Sequence, residues 1–280
     1  MIFAAGRRAL SRTALHLALA VSGFFYMYPF LWMVSGSLKS RGEFLGKGLS
    51  LLPRQPVWEN YVEAWQTARF GVYFKNTVLV TLTSTAIVVI LTSMAGYALA
   101  RSTFPGKKLI IGAILATMFL PKGYTIAPIF ELVRGLGLLN TLWAVVLVNS
   151  ATGMVFNTFL FLGYFVTLPK ELEEAAVIDG ARFPTIYRRV AFPLAKPMVA
   201  TVALFEFIDN WNSFFIPLVF TLGRPDLRTV TVGMYAFVGQ HSTDWTLMCA
   251  AATLSLLPTM VVFFFLQRLL VQGVAGAIRG

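Results

Sequence analysis

Glu206 and Asp209 stand one helical turn apart inside an otherwise apolar stretch, with Asn210, Trp211 and Asn212 directly behind them. A carboxylate at mid-bilayer costs about 2.5–3.5 kcal/mol on insertion scales, so such a pair should face a water-filled path or a polar partner. Lining a path, these residues would hydrate or hydrogen-bond a passing solute, and two carboxylates would favour a cationic or amine-bearing one. Two other readings stand beside this one. The group could satisfy polar atoms of a neighbouring chain, or Asp209 could be neutral and buried.

A second cluster is acidic first and basic afterwards. Glu171, Glu173 and Glu174 lead into Ala175, Ala176, Asp179 and Gly180, and Arg188 and Arg189 follow, with Pro193 and Pro197 behind them. Pro169 at a first helical position and carboxylates in the first turn predict a helix stopped by Gly180. That helix would hold eleven residues, about 16 Å at 1.5 Å per residue. Ala175 and Ala176 keep its middle thin enough for another surface to approach the backbone. A second short helix is expected over 186–190, ended by the two prolines. The segment reads either as an interfacial loop or as a stiff docking element that converts movement of a soluble partner into helix tilt.

The remaining chemistry is sparse. The nearest approach to a phosphate-cradling loop, Gly42 to Gly48, has the wrong spacing and lacks the hydroxyl residue. Neither a His-Glu-x-x-His pair nor a nucleophile elbow is present, so no catalytic residue, metal or cofactor is expected. Cys249 is the only cysteine, which excludes an internal disulfide, and His16 and His241 have no ligand spacing around them.

The elements that must position these residues are membrane helices. Of the 280 residues 57% are hydrophobic and 12% charged, too apolar for an ordinary soluble domain. Charge-free runs near the ~20 residues needed to cross a bilayer recur, and period-2 alternation is absent, which argues for helices over a barrel. The reading is an all-α, polytopic membrane protein forming one domain over 1–280, with six transmembrane helices near 15–34, 76–100, 109–130, 138–162, 198–222 and 245–266. The loop 167–197 carries the acidic–basic cluster. The third span is interrupted by Pro121-Lys122-Gly123, as a kinked helix or a helix with an interfacial turn. The first, preceded by Arg7, Arg8 and Arg12, is too long for a cleaved signal core and is expected to be retained.

The net charge of +11 fits headgroup-facing loops rather than nucleic acid. With both termini inside, 13 of the 23 basic residues fall on the inner side and 10 on the outer; apart from the six in the long loop over 35–75, the outer ones are Lys122, Arg134, Arg224 and Arg228. That bias follows the positive-inside rule and puts the acidic–basic loop in the cytoplasm.

Several of these stretches together resemble a known family. Glu174-Ala175-Ala176-x-x-Asp179-Gly180-Ala181, followed by Pro193-Leu194-x-x-Pro197, resembles the EAA loop of binding-protein-dependent ABC importer permeases. Ala95-x-Tyr97-Ala98-Leu99-Ala100-Arg101, Trp211-Asn212-x-Phe214 with Pro217-Leu218, Asp244-Trp245 with Pro258, and the tail from Gln267-Arg268 to Gly280 resemble the carbohydrate-uptake branch. The chain is most similar in type to the smaller maltose-type permease.

The resemblance implies a permease subunit in the bacterial inner membrane, paired with a second related permease and a cytoplasmic ATP-binding cassette ATPase dimer. An extracytoplasmic solute-binding protein would deliver a sugar. Glu173, Glu174, Ala175, Ala176, Asp179, Gly180 and Arg188 would form the ATPase-coupling element, and Gly276, Ala277 and Gly280 of the tail would lie near the same interface. Glu206, Asp209, Asn210, Trp211 and Asn212 would line the translocation path, where Tyr124, Trp143 and Trp211 are candidates to stack on sugar. The family usually carries small or neutral residues around Glu206, so that position is a departure. ATP hydrolysis would belong to the separate subunit. The rival readings are an ABC permease for a non-sugar solute and an ATP-independent secondary transporter, whose usual matched broken helices in two halves are not evident.

Overall fold

The computed structural model describes residues 2–46, 50–67, 69–119, 125–239 and 243–278, with side chains described within 13–267. Pro121-Lys122-Gly123, Tyr124, His241 and Gly280 lie outside the described residues, as do the side chain of Ala277 and the surroundings of Gly276. Helices make up most of the described chain, and pairing of extended backbone is limited among the described residues to one bridge between Val238 and Thr243.

The chain divides into two compact units. The first comprises 1–70 and 234–256. It holds α1 (Ile2–Ser37), α2 (Arg41–Gly46), α3 (Glu59–Thr67) and the start of the last helix. The 13–37 part of α1 is long and apolar enough to cross a membrane, and its most apolar window is entirely unburied. Asn60 satisfies carbonyls at the end of α1, its Nδ2 donating to Ser37 O (2.8 Å) and Lys39 O (2.9 Å). The connection expected over 35–75 is therefore partly helical, and Trp58 and Trp65 remain exposed on it.

The second unit comprises 71–233 and 257–280. Its long helices are α4 (Phe70–Arg101, entering from the first unit) and, after α5 (Lys107–Thr117) and α6 (Ile126–Gly135), α7 (Leu142–Thr167). α4 and α7 approach closely at Gly96, where a Cβ would lie 2.6 Å from Phe161 Cβ and 2.8 Å from Leu162 N. Around that contact Val88, Tyr97, Phe161, Phe165, Ala191 and Val202 are buried together.

The remaining elements are α8 (Glu171–Ile178), α9 (Phe183–Ile186), a π-helical turn (Tyr187–Ala191), α10 (Phe192–Leu194), α11 (Lys196–Asn212), α12 (Phe215–Phe220), α13 (Val230–Gly233), α14 (Trp245–Ile278) and two 3-10 turns (Pro225–Leu227 and Met234–Phe237).

Among the described residues, four helices have the length and composition to cross a membrane: 13–37 of α1, α4, α7 and 245–267 of α14. They match the expected first, second, fourth and sixth spans, although α7 begins four residues later than expected. The third expected span is two short helices, α5 and α6, neither long enough alone. The fifth, expected as continuous over 198–222, is broken. α11 ends at Asn212, Ser213 is extended (φ −60°, ψ 123°), and α12 follows. Pro217 explains the break. It has no N–H to give to the Ser213 carbonyl four residues earlier, and that oxygen instead accepts from the Thr231 hydroxyl at 2.6 Å. A second bend of 76° separates the segment Phe183–Leu194 from α11, at Ala195.

Candidate functional site

The hairpin between α7 and α11 is built by its prolines and one glycine. α8 is shorter than expected, eight residues instead of eleven. Pro169 does not occupy its first helical position, because Lys170 is the N-cap and the helix begins at Glu171. At the other end the stop expected at Gly180 is present in full. Gly180 has φ +79°, its N–H donates to Val177 O (2.9 Å), and the Ala181 N–H donates to Ala176 O (2.9 Å). This pair of bonds is a Schellman motif, which satisfies carbonyls that the helix end would leave open. A Cβ at Gly180 would meet nothing within 4 Å, so backbone conformation, and not space, calls for glycine here.

The second arm was expected as a short helix over 186–190. It runs instead from Phe183 to Leu194, with a π-helical turn at Tyr187–Ala191. Pro193 again accounts for the irregularity, since it cannot bond the carbonyl of Arg189 and the turn widens before it. Arg188 and Arg189 are exposed.

Glu173 points back into the protein. Arg101 Nε donates to Glu173 Oε1 at 2.8 Å, and Tyr97 OH donates to Oε2 at 3.1 Å. A second Arg101 nitrogen holds Leu168 O at 2.8 Å, and the side chains of the ion pair are only 8% and 16% exposed. The hairpin is tied elsewhere too. Tyr187 OH and Ser93 OH are 2.7 Å apart, and Tyr164 OH donates to Leu194 O at 2.9 Å. Burial pushes the Tyr187 hydroxyl above its ordinary pKa, so it stays protonated as a hydrogen-bonding group. Glu174, Ala175, Asp179 and Gly180 are exposed, Ala176 is half-buried, and Val177 and Ile178 project apolar side chains from the same helix (58% and 87% exposed). One end of α8 is therefore fastened to α4, and the other presents an open apolar tip.

The second cluster lies between α7 and α11. Glu206 is 5% exposed and accepts from Asn157 Nδ2 at 2.5 Å and Asn210 Nδ2 at 3.3 Å. Its carboxylate packs over Gly153, where a Cβ would lie 2.7 Å from Glu206 Cδ. Asp209 is exposed and lines the same cavity, of about 340 Å³, with Thr152, Gly153, Asn157 and Glu206. The reading of Asp209 as buried does not hold. Asn210 is buried and bonds back to Glu206 O at 2.7 Å, while Asn212 is exposed and bonds Ile208 O at 2.8 Å. Trp211 is 1% exposed, with Phe207 stacked on it at 5.5 Å and the edge of Phe74 at 5.5 Å. Its ring faces are used in packing. Trp143 is exposed.

Sequence reasoning missed three participants. Arg101 appeared only as the last residue of the Ala95–Arg101 stretch, with no partner expected, and its pairing with Glu173 joins positions 72 residues apart. Asn157 and Gly153 are one turn apart on α7 and carried no signal in an apolar run; a search for polar residues inside spans would have found Asn157.

Comparison with known proteins agrees with this architecture. Residues 93–276 match the family described as "Binding-protein-dependent transport system inner membrane component". The diacetylchitobiose uptake system permease protein NgcG of Streptomyces coelicolor is 34% identical over 255 residues, 90% of this chain and 84% of that one. The melibiose/raffinose/stachyose import permease protein MelC of Bacillus subtilis is 32% identical over 98% of this chain and 99% of its own. The trehalose/maltose transport system permease protein MalG of Thermococcus litoralis is 32% identical over 97% and 98%. A chain from the crystal structure of a bacterial ABC transporter that imports the acidic polysaccharide alginate shares the fold, with a TM-score of 0.81 over 93% of this chain and 96% of that one, at 24% identity. The matched region takes in the Ala95–Arg101 stretch, the hairpin and the Glu206 cluster, and on this evidence the chain belongs to the binding-protein-dependent inner-membrane components of ABC transporters, alongside permeases named for sugar uptake.

Proposed function

We propose that this chain is one of two permease subunits of an ATP-driven importer that moves a sugar or related solute across the bacterial inner membrane. The observation that carries the coupling role is the construction of α8. Glu173 is clamped to Arg101 at the end of α4, while Val177 and Ile178 stand exposed at the free end. A helix held rigidly at one end and open at the other passes a push on its tip into the bundle. The family and its sugar-uptake relatives support this reading, with a cytoplasmic ATPase dimer receiving the tip and an extracytoplasmic binding protein supplying the solute.

Both termini are then cytoplasmic and the chain crosses six times. The third and fifth crossings are each made of two helical pieces, and the loop over 167–197 faces the ATPase together with the tail around Gly276, Ala277 and Gly280. Glu174, Ala175, Ala176, Asp179, Gly180 and Arg188 form the contact surface, and Glu173 positions it. Glu206, Asp209, Asn210 and Asn212 belong to the wall of the path. The chain hydrolyses nothing itself.

Reconstitution tests this. With its ATPase, the second permease and the binding protein in proteoliposomes, sugar uptake should require ATP and be stopped by vanadate. Vanadate-insensitive uptake by this chain alone would point to a carrier. A cysteine cross-link placed at Ile178 should capture the ATPase subunit; capture of lipid-facing reagents only would remove the coupling role.

A further inference from the structure

We infer that α4 is the rod that carries movement of the hairpin across the membrane, with Tyr97 and Asn76 as the positioning residues that fasten it at either end. This rests on the proposed coupling role of the hairpin and goes on to name the helix that takes up the push. Ser93, Tyr97 and Arg101, spaced four apart, lie on one face of α4 and hold both arms of the hairpin. Arg101 and Tyr97 bond Glu173 of the first arm. The second arm meets the same face. The Ser93 hydroxyl gives its one hydrogen to Ile90 O (3.0 Å) and so accepts from Tyr187 OH at 2.7 Å. The Tyr97 ring, 1% exposed, packs against Phe183 (4.9 Å between centroids) and Tyr187 (5.3 Å). Tyr97 therefore joins the arms, its hydroxyl on one and its ring on the other, and makes them move as one body.

The covalent routes out of the hairpin are interrupted. Leu168 caps α7 in an extended conformation (φ −72°, ψ 136°), and a bend of 76° at Ala195 separates the second arm from α11. Neither flanking helix runs on into the hairpin. By contrast α4 is unbroken from Phe70 to Arg101 and holds no proline.

The far end of α4 is fastened as well. Asn76 is 8% exposed and gives both amide hydrogens to backbone carbonyls, Asp226 O (2.8 Å) and Arg228 O (3.0 Å). Beside it the Thr77 hydroxyl donates to Tyr73 O (2.7 Å) and accepts from the Val230 N–H (2.9 Å). Asn76 and Tyr97 are 21 positions apart. That is about 31 Å of helix at 1.5 Å per residue, close to the ~30 Å of a bilayer's hydrocarbon core. A rigid helix bonded at both ends passes a displacement from one to the other. Movement of the hairpin on the ATPase side thus reaches the 226–230 segment on the opposite side of the membrane.

The test reads the far end of α4 while the ATPase changes state. Leu227→Cys, in a chain that also carries Cys249→Ser, puts a thiol between the two carbonyls that Asn76 holds. The chain is assembled with the second permease and the ATPase dimer in proteoliposomes. Its labelling rate by a membrane-impermeant maleimide is compared without nucleotide and with ATP and vanadate. The two rates should differ about tenfold, within the usual span for coupled sites. Tyr97→Phe keeps the ring contacts and loses the bond to Glu173, and should shrink that ratio about fivefold, the worth of one hydrogen bond. Asn76→Ala should shrink it at least as far, and the double variant no further than the worse single one, since links in series fail with the first one broken. Tyr164→Phe cuts the hairpin's bond to α7 and should leave the ratio unchanged. If Asn76→Ala does not assemble, Tyr97→Phe decides alone.

A full ratio in Tyr97→Phe, losses that multiply in the double variant, or an equal loss in Tyr164→Phe overturns the inference. So does equal labelling of the two states in the otherwise unaltered chain. The cross-link at Ile178 is the separate readout: if it captures the ATPase while the ratio ignores Tyr97, the rod fails and the coupling role of the hairpin stands. If it captures no ATPase, the parent reading fails as well.

Discussion

Two glutamates on this chain have opposite surroundings. Glu173, at the end of the bundle, meets a guanidinium and a phenol and is drawn inward to fix a helix. Glu206, in the middle of α11, has amide partners from Asn157 and Asn210 and sits over a glycine. The first arrangement closes its charge and makes a joint. The second meets two side-chain amides that donate to it and lies beside a cavity. A buried carboxylate is thus read by what faces it: a guanidinium on another helix makes Glu173 a joint, whereas Glu206 is held by side-chain amides of α7 and α11.

The contrast can be broken most sharply at Arg101. Arg101→Ala would strand the Glu173 carboxylate, costing up to about 3 kcal/mol as in other part-buried pairs. Thermal unfolding and ATPase pull-down should both suffer, and removing Glu173 as well should restore part of the stability. If Arg101→Ala leaves both measurements unchanged, the joint is not a joint.

Next in size is Gly153→Ala, expected to cost about 1–3 kcal/mol through overpacking against Glu206. The same change at Gly163 on the same helix, where a Cβ meets nothing within 4 Å, should be neutral or better by thermal midpoint. Gly180→Ala should cost about 1–2 kcal/mol because the residue must hold positive φ. Its control is Gly135→Ala in α6, also in open space but without positive φ, which should lose nothing. The affinity of the ATPase subunit should follow Gly180 and ignore Gly135. Smallest is Thr231→Val, which leaves the Ser213 carbonyl without its donor and should cost about 1 kcal/mol by denaturant midpoint.

Much of the hairpin was legible because its signals are local. Acidic residues in the first turn of α8, a glycine where the backbone must turn left-handed, and prolines that deny a backbone donor act within a few residues. The length of α8 was overestimated because Pro169 was read as a helical residue, and it precedes the cap. The irregular second arm was out of reach in detail, since a proline predicts an interruption without saying whether a break, a bend or a π turn resolves it. The same limit hid the break at Ser213, where Pro217 was visible but the Thr231 hydroxyl that donates to the freed carbonyl was not.

By itself the sequence determined the all-helical class, four of the six expected spans as long apolar helices, the position of the left-handed stop at Gly180 and the resemblance to ABC importer permeases. Composition, helix caps and short motifs are properties of neighbouring residues, and no folding is needed to see them. Only the tertiary structure decided which glutamate is clamped and which lines a cavity. It brought Arg101 to Glu173 across 72 positions and Asn157 to Glu206 across 49, turned Trp211 into the packing, and left Asp209 in the open. These outcomes depend on which helix faces which, and side-chain partners of that kind are set by packing over long separations, which spacing along the chain does not encode.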